Sequence, residues 1–277
     1  MKKAFLYIIV LLLTVQCFAQ DETQNSLQSK KVVTIPDTVI NGIKFRRYNF
    51  EFESVEFSKE IFFTLPLTED DTVLQTICND LLGGEYDSKM LEEELLEEIN
   101  MYMDRVASNP ELIDAEKMDE RYSETEYYES SWHITPVFDG GGYIAFVSYF
   151  SEYFGGAVHH MWGRVSNVYS LSTGKLITQD DIFDDIGAHR YLVASKLFLL
   201  LNKYLGEDND IEDANVMGML NDNFYFTDKE LIYMYVPYEV AYYAAGEPEL
   251  ALPKKWLKPY LNVDGPLYKY WFGKKQK

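Results

Sequence analysis

Trp132-His133-Ile134-Thr135-Pro136-Val137-Phe138, Asp139-Gly140-Gly141-Gly142 and Tyr143-Ile144-Ala145-Phe146-Val147-Ser148-Tyr149-Phe150 follow one another without a gap. Two runs rich in aromatic and β-branched residues around a glycine-rich break specify an antiparallel hairpin. Downstream, Phe154-Gly155-Gly156-Ala157 interrupts the β pattern, Val158 to Leu171 resumes it, and Ser172-Thr173-Gly174-Lys175 turns it. Thr178 is placed to cap a short helix over 179–183, and a more apolar helix follows over 188–205. Residues 223–226 and 231–236 form a second hairpin about Thr227-Asp228-Lys229. A last strand runs over 249–252, and Pro253 opens a closing helix at its first position, through about Tyr260.

Upstream, a short strand is expected over 32–35. Asn41-Gly42 predicts a tight hairpin turn, because both residues accept positive φ. Tyr48, Phe50 and Phe52 alternate with Arg47, Asn49, Glu51 and Glu53, as in a half-buried strand, and Val55 and Phe57 change parity at a bulge near Ser54. Thr68 to Leu82 reads as a helix with Thr68 as its cap and Gly83-Gly84 as its stop. Leu91, Leu95, Ile99, Met103 and Val106 stripe one face of a longer helix over about 88–107, with its glutamates mostly off that stripe on a solvated face. Residues 111–129 are acidic and mixed, as in a linker or an insertion. Strand runs with helices between or after them predict an α+β fold of antiparallel sheets with helices packed on one side. Two modules are expected, 32–110 and 125–262.

Met1 to Gln20 carries Lys2 and Lys3, then an apolar run over 4–15 of signal-peptide length, then Cys17-Phe18-Ala19. Cleavage after Ala19 predicts an exported chain, periplasmic or secreted; lipidation of Cys17 is the rival reading. Beyond this leader the sequence holds no stretch suited to a transmembrane helix. The chain carries a formal charge of −20, and loss of Lys2 and Lys3 with the leader makes it −22. Such acidity disfavours nucleic acid and attracts cationic partners at long range. Cys78 would then be the sole cysteine, so no intramolecular disulfide forms, and its helical setting suggests a buried thiol.

Catalytic signatures are sparse. No nucleophile elbow, Walker loop or His-Glu-x-x-His motif occurs. His159-His160 is the sole histidine cluster, and in a strand the pair would face opposite ways. No metal, cofactor or catalytic residue is therefore assigned. A hydrolase reading would draw on Glu152, Glu239 or His159.

Four separated pieces form a recognisable pattern: Tyr153-Phe154-Gly155-Gly156-Ala157-Val158-His159; Tyr169 to Phe183; Asn223-Phe224-Tyr225-Phe226-Thr227-Asp228; and Pro237 to Gly246. In order and spacing this resembles the extracytoplasmic C-terminal domain of RsiV-type anti-sigma factors, also found beside the catalytic domain of PdaC-type peptidoglycan deacetylases. Residues 32–110 resemble the companion N-terminal module. The resemblance implies a sensor or binding domain that engages lysozyme or peptidoglycan. The expected ligand-binding residues are Tyr153, Gly155, Gly156, His159, His160, Tyr238, Glu239, Tyr242 and Tyr243. One departure is local: the family's Gly-Gly-Ala-His-Gly is broken here by Val158, with His160 in place of the last glycine. The sigma-binding segment and the deacetylase metal ligands have no counterpart, so the binding domain stands without either effector. An envelope glycan hydrolase and an envelope assembly partner are the other two readings.

Overall fold

The computed structural model describes residues 29–32, 35–53, 57–68, 71–85, 87, several between 90 and 101, 128–154, 157–206 and 216–273. The expected leader with Cys17, the expected bulge near Ser54, the segment 111–127 and Gly155-Gly156 lie outside the described residues. The architecture is α+β, with one seven-stranded and one three-stranded sheet. The strands are β1 (Ser29–Val32), β2 (Ile35–Ile40), β3 (Ile43–Glu53), β4 (Phe57–Pro66), β5 (Tyr128–Gly140), β6 (Tyr143–Phe154), β7 (Met161–Ser170), β8 (Phe224–Phe226), β9 (Glu230–Met234) and β10 (Glu249–Pro253). The larger sheet runs β1-β3-β4-β5-β6-β7 with β2 also on β3; the smaller runs β10-β9-β8. Among the described residues, no helix is long and apolar enough to cross a membrane.

By internal contacts the chain forms two compact units, each drawn from separated stretches of sequence. The first comprises Met1–Thr38, Arg46–Ser131 and Ser151–Met161. Its helix α1 (Thr72–Leu82) buries Leu74, Ile77, Cys78 and Leu81, the i, i+3, i+4, i+7 set of one helical face, and packs on β4. The cap is Asp71 rather than Thr68: its carboxylate accepts from the amides of Val73 (2.9 Å) and Leu74 (3.0 Å). Thr68 instead offers its carbonyl to the Asp71 amide at 2.9 Å. A carboxylate at this end also suits the helix dipole. Gly83 ends the helix with φ 72°, in the left-handed region that glycine occupies without a Cβ penalty. Of the next helix, Met90, Leu91, Glu93, Glu94, Leu95, Glu97, Asn100 and Met101 are described and all are helical, with Leu95 buried.

Cys78 is fully buried, its Sγ 3.8 Å from the Pro66 carbonyl, and burial pushes its thiol pKa up to about 12. The thiolate is the reactive species. In the folded protein at pH 8, Cys78 is therefore expected to resist a thiol reagent and to react only at the rate of opening, whereas urea-unfolded protein should react at once. Rapid labelling of the native protein would contradict this burial.

The second unit comprises Val39–Phe45, Trp132–Phe150 and Trp162–Lys277. Hairpin β2–β3 turns at Asn41 (φ 47°) and Gly42 (φ 91°), and hairpin β5–β6 turns at Gly141 (φ 62°) and Gly142 (φ 85°). Both have the two positive φ values of a type I′ turn, which matches the twist of paired strands. The Asn41 side-chain amide donates to the Asp139 carbonyl at 3.1 Å, joining one hairpin end to the other. In the smaller sheet Tyr233 lies opposite both Phe224 and Leu250, and Leu231 lies opposite both Phe226 and Leu252. These six residues are buried. Helix α2 (Gln179–Ile182) follows Thr178, whose amide and hydroxyl both donate to the Asp181 carboxylate (3.0 and 3.1 Å). Helix α3 (Gly187–Leu205) buries Val193, Ala194, Leu197 and Leu201 in the same core.

Two expectations shift at the C-terminal end. Pro253 is the cap of α4 (Lys254–Leu257) rather than its first residue, and a 3-10 turn continues through Tyr260. A further helix, α5 (Pro266–Phe272), was not expected; it buries Leu267 and Trp271, and Pro266 starts it. Tyr270 from this helix lies against Gly141, where an added Cβ would meet its ring at 2.1 Å. Phe138, Tyr143 and Phe226 complete the aromatic cluster around it.

Candidate functional site

The sequence-derived site residues fall in both units. In the first unit, Tyr153 stacks on the His160 ring, with centroids 4.7 Å apart and planes at 25°. Ser151 Oγ lies 3.4 Å from His160 Nδ1, and His159 Nδ1 donates to the His160 carbonyl at 3.0 Å. Strand β7 begins at Met161, not Val158: Val158 and His159 form a bend, with Val158 almost wholly exposed. The opposite-face argument for the two histidines therefore does not apply, since neither is in a strand. Among the described residues, no group of three or more His, Cys, Asp or Glu side chains is arranged to hold a metal ion.

The second unit carries Tyr238, Glu239, Tyr242 and Tyr243. Strand β9 runs into a four-residue turn in which the Glu239 amide donates to the Val236 carbonyl at 3.1 Å. Pro237 holds the second position and Tyr238 the third, with φ 68°. This is the pattern of a type II turn, whose third position ordinarily takes glycine. Among the described residues, the other positive-φ residue without glycine's freedom is Asn41, a type that tolerates the left-handed region. Tyr238 has no such tolerance, and the strain costs about 1–2 kcal/mol. Its side chain is nevertheless 65 % exposed.

The rest of the segment is fixed from several directions. Glu239 is committed to the turn: one carboxylate oxygen accepts from the Val236 amide (3.0 Å), the other from the Asn221 side-chain amide (2.8 Å). That gives Glu239 a structural task and leaves the acid–base assignment without geometric support. Trp162 Nε1 donates to the Tyr243 hydroxyl at 2.8 Å and meets its ring edge-on. Tyr243 in turn lies 5.6 Å from the Tyr238 ring, centroid to centroid. Tyr204 of α3 donates its hydroxyl to the Ala245 carbonyl at 2.9 Å. Tyr242, between these anchors, is 52 % exposed.

Just beyond Gly246, Arg164 of β7 bridges Glu247 and Glu249, the latter at 2.7 Å. Burial raises the Glu247 carboxyl pKa although Arg164 opposes it. For Arg164, burial is outweighed by the two carboxylates, which hold the guanidinium more firmly protonated. This ion pair closes the segment onto the sheet. Its partners lie 83 residues apart, a spacing no local pattern reveals. Asn223, from the third recognised piece, is also structural. Its side-chain oxygen accepts from both the amide (2.7 Å) and hydroxyl (2.9 Å) of buried Ser166, and its amide donates to the Arg164 carbonyl (2.8 Å).

With this geometry in place, likenesses to known proteins can be read. Residues 180–255, from within α2 to the start of α4, match the family model described as "Protein of unknown function (DUF3298)". The fold is similar to the crystal structure of a DUF3298-family member from Bacteroides fragilis NCTC 9343, with TM-score 0.61 and 16 % identity over 84 % of this chain and 98 % of that one. A DUF3298-family protein from Pseudomonas aeruginosa PAO1 is also similar, with TM-score 0.52 and 16 % identity over 81 % of this chain and 96 % of that one. At such identities the likeness speaks to the fold. No curated protein matches the chain.

Proposed function

We propose that the protein is an exported binding module that engages a cell-wall component or a cationic wall-degrading enzyme such as lysozyme. The contact surface is the Tyr238–Gly246 segment, with Tyr238 and Tyr242 presented, and Tyr243 and Glu239 holding them in place. Tyr153, His159 and His160 form a separate candidate surface in the other unit. The observation that carries this reading is the backbone of Tyr238. A large aromatic side chain occupies a position suited to glycine, at a cost in stability, and is displayed to solvent rather than packed away. Strain of this kind clusters at functional positions, and tyrosine is enriched at protein interfaces. The formal charge of −20 adds long-range attraction for a basic partner. The resemblance to the RsiV-type domain, and the leader read from Met1 to Gln20, agree with a role outside the cytoplasm.

The test is lysozyme binding across a salt series, with wild type and Tyr238→Gly. Binding is expected to persist at physiological salt, where attraction between exposed charges is largely screened beyond about 8 Å. Tyr238→Gly should weaken it about 30-fold, as loss of a central interface aromatic does. The same substitution should leave stability level or slightly higher, since about 1–2 kcal/mol of strain is relieved against about 0.5–1 kcal/mol of added chain freedom. Binding that vanishes with salt would reduce the interaction to charge alone. Unchanged affinity in Tyr238→Gly would remove this surface.

A further inference from the structure

The last 25 residues reverse the character of the chain. From Pro253 to Lys277 there are seven lysines against one acid, Asp264, a local surplus of six positive charges on a chain whose total is −20. The preceding residues therefore carry −26. Aromatic residues accompany these lysines: Trp256, Tyr260, Tyr268, Tyr270, Trp271 and Phe272.

Among the described residues, Lys254, Lys255, Lys258 and Lys269 and the rings of Trp256, Tyr260, Tyr268 and Phe272 belong to α4, the turn after it and α5 of the second unit. Lys258 Nζ stands 4.9 Å, and Lys254 Nζ 5.9 Å, from the centre of the Phe272 ring, so α4 and the turn after it are drawn against α5. Phe272 contacts Tyr268 at 5.3 Å, and Trp256 contacts Tyr260 at 4.9 Å. These four rings are half-buried, while Lys255, Lys258 and Lys269 are exposed. Half-sunk aromatic bodies beside lysines with apolar stems and charged tips match a lipid headgroup boundary, where rings sit at the interface and ammonium groups reach phosphate.

We propose that the Lys254–Phe272 surface docks the protein on an anionic phospholipid bilayer. Charge complementarity carries the choice of partner. The acidic remainder of the chain is repelled by the same bilayer, which favours approach through this face. The proposal stands apart from the Tyr238 surface, and either can fail without the other.

The experiment is co-sedimentation of the full chain with vesicles of phosphatidylglycerol and phosphatidylcholine, compared with phosphatidylcholine alone. A retained apolar leader would partition into both kinds alike, so the difference between them is the readout. Each lysine at an anionic surface contributes about fivefold to partitioning. Lys255→Gln with Lys258→Gln should therefore lower binding to the anionic vesicles about 30-fold, with only the small fall in melting temperature that loss of the Lys258–Phe272 contact brings. A matched pair on α3, Lys196→Gln with Lys203→Gln, should change it little. Equal binding to both vesicle types, or equal losses in the two variants, would overturn the proposal. So would salt-sensitive self-association without vesicle binding, which would assign the surface to the acidic body of a second copy.

Discussion

Phe226→Ala is expected to destabilise the protein by about 3–5 kcal/mol, the range for emptying a well-packed phenylalanine site. Phe226 is fully buried in β8. Its ring meets Phe138 at 5.7 Å, Tyr143 edge-on at 5.5 Å and Tyr270 at 6.0 Å. Those partners come from the β5–β6 hairpin and from α5, so the cavity would open where three elements converge. The surroundings cannot easily collapse into it. Tyr270 is tied to the Asp228 carboxylate through its hydroxyl, and Trp271 Nε1 donates to the Thr227 carbonyl at 2.8 Å. Urea unfolding followed by near-ultraviolet circular dichroism would report both the loss of stability and the loss of the aromatic signal. A change below about 1.5 kcal/mol, the scale of a volume-conserving swap, would mean that this cluster is loosely packed.

Asn223→Ala should cost about 3 kcal/mol for a different reason. Ser166 is fully buried, and Asn223 satisfies both its amide and its hydroxyl as well as the Arg164 carbonyl. Removing the amide strands three polar groups, and a stranded buried group costs about 1–3 kcal/mol where water cannot reach it. A double-mutant cycle separates this effect from simple loss of volume. Ser166→Ala should cost clearly less in the Asn223→Ala background than in wild type, because one of the stranded groups is then gone. Additive losses in denaturant melts would show that the two side chains are not coupled.

Chemistry that acts over a few residues was legible in the sequence. Asn41-Gly42 and Gly141-Gly142 mark both type I′ turns, because positive φ is a property of the residue itself. The i, i+3, i+4, i+7 set of α1 marks its buried face. The cap lies three residues past Thr68 because Thr68, Glu69, Asp70 and Asp71 all carry side-chain oxygens able to accept from helix amides, and only the path of the chain selects Asp71. Helix α5 escaped notice because Tyr268, Tyr270 and Phe272 surround the buried Leu267 and Trp271 and erase the polar face that reveals a helix. At the candidate site the tyrosines were legible as a cluster, but their division of labour was not. Tyr243 is fastened by Trp162, whereas Tyr238 and Tyr242 are presented. That distinction depends on a residue 81 positions away.

Helix α5 also sets a timetable. Chains are made from the N-terminus, so Leu267, Tyr270 and Trp271 emerge after the strands and helices they pack against. Until they arrive, the Thr227–Asp228 turn and the glycine turn of the β5–β6 hairpin lack the helix that covers them. A nascent chain halted before residue 266 would therefore show the aromatic interior of the second unit to any chaperone or protease nearby. Emergence of α5 and closure of this core are nearly the same event.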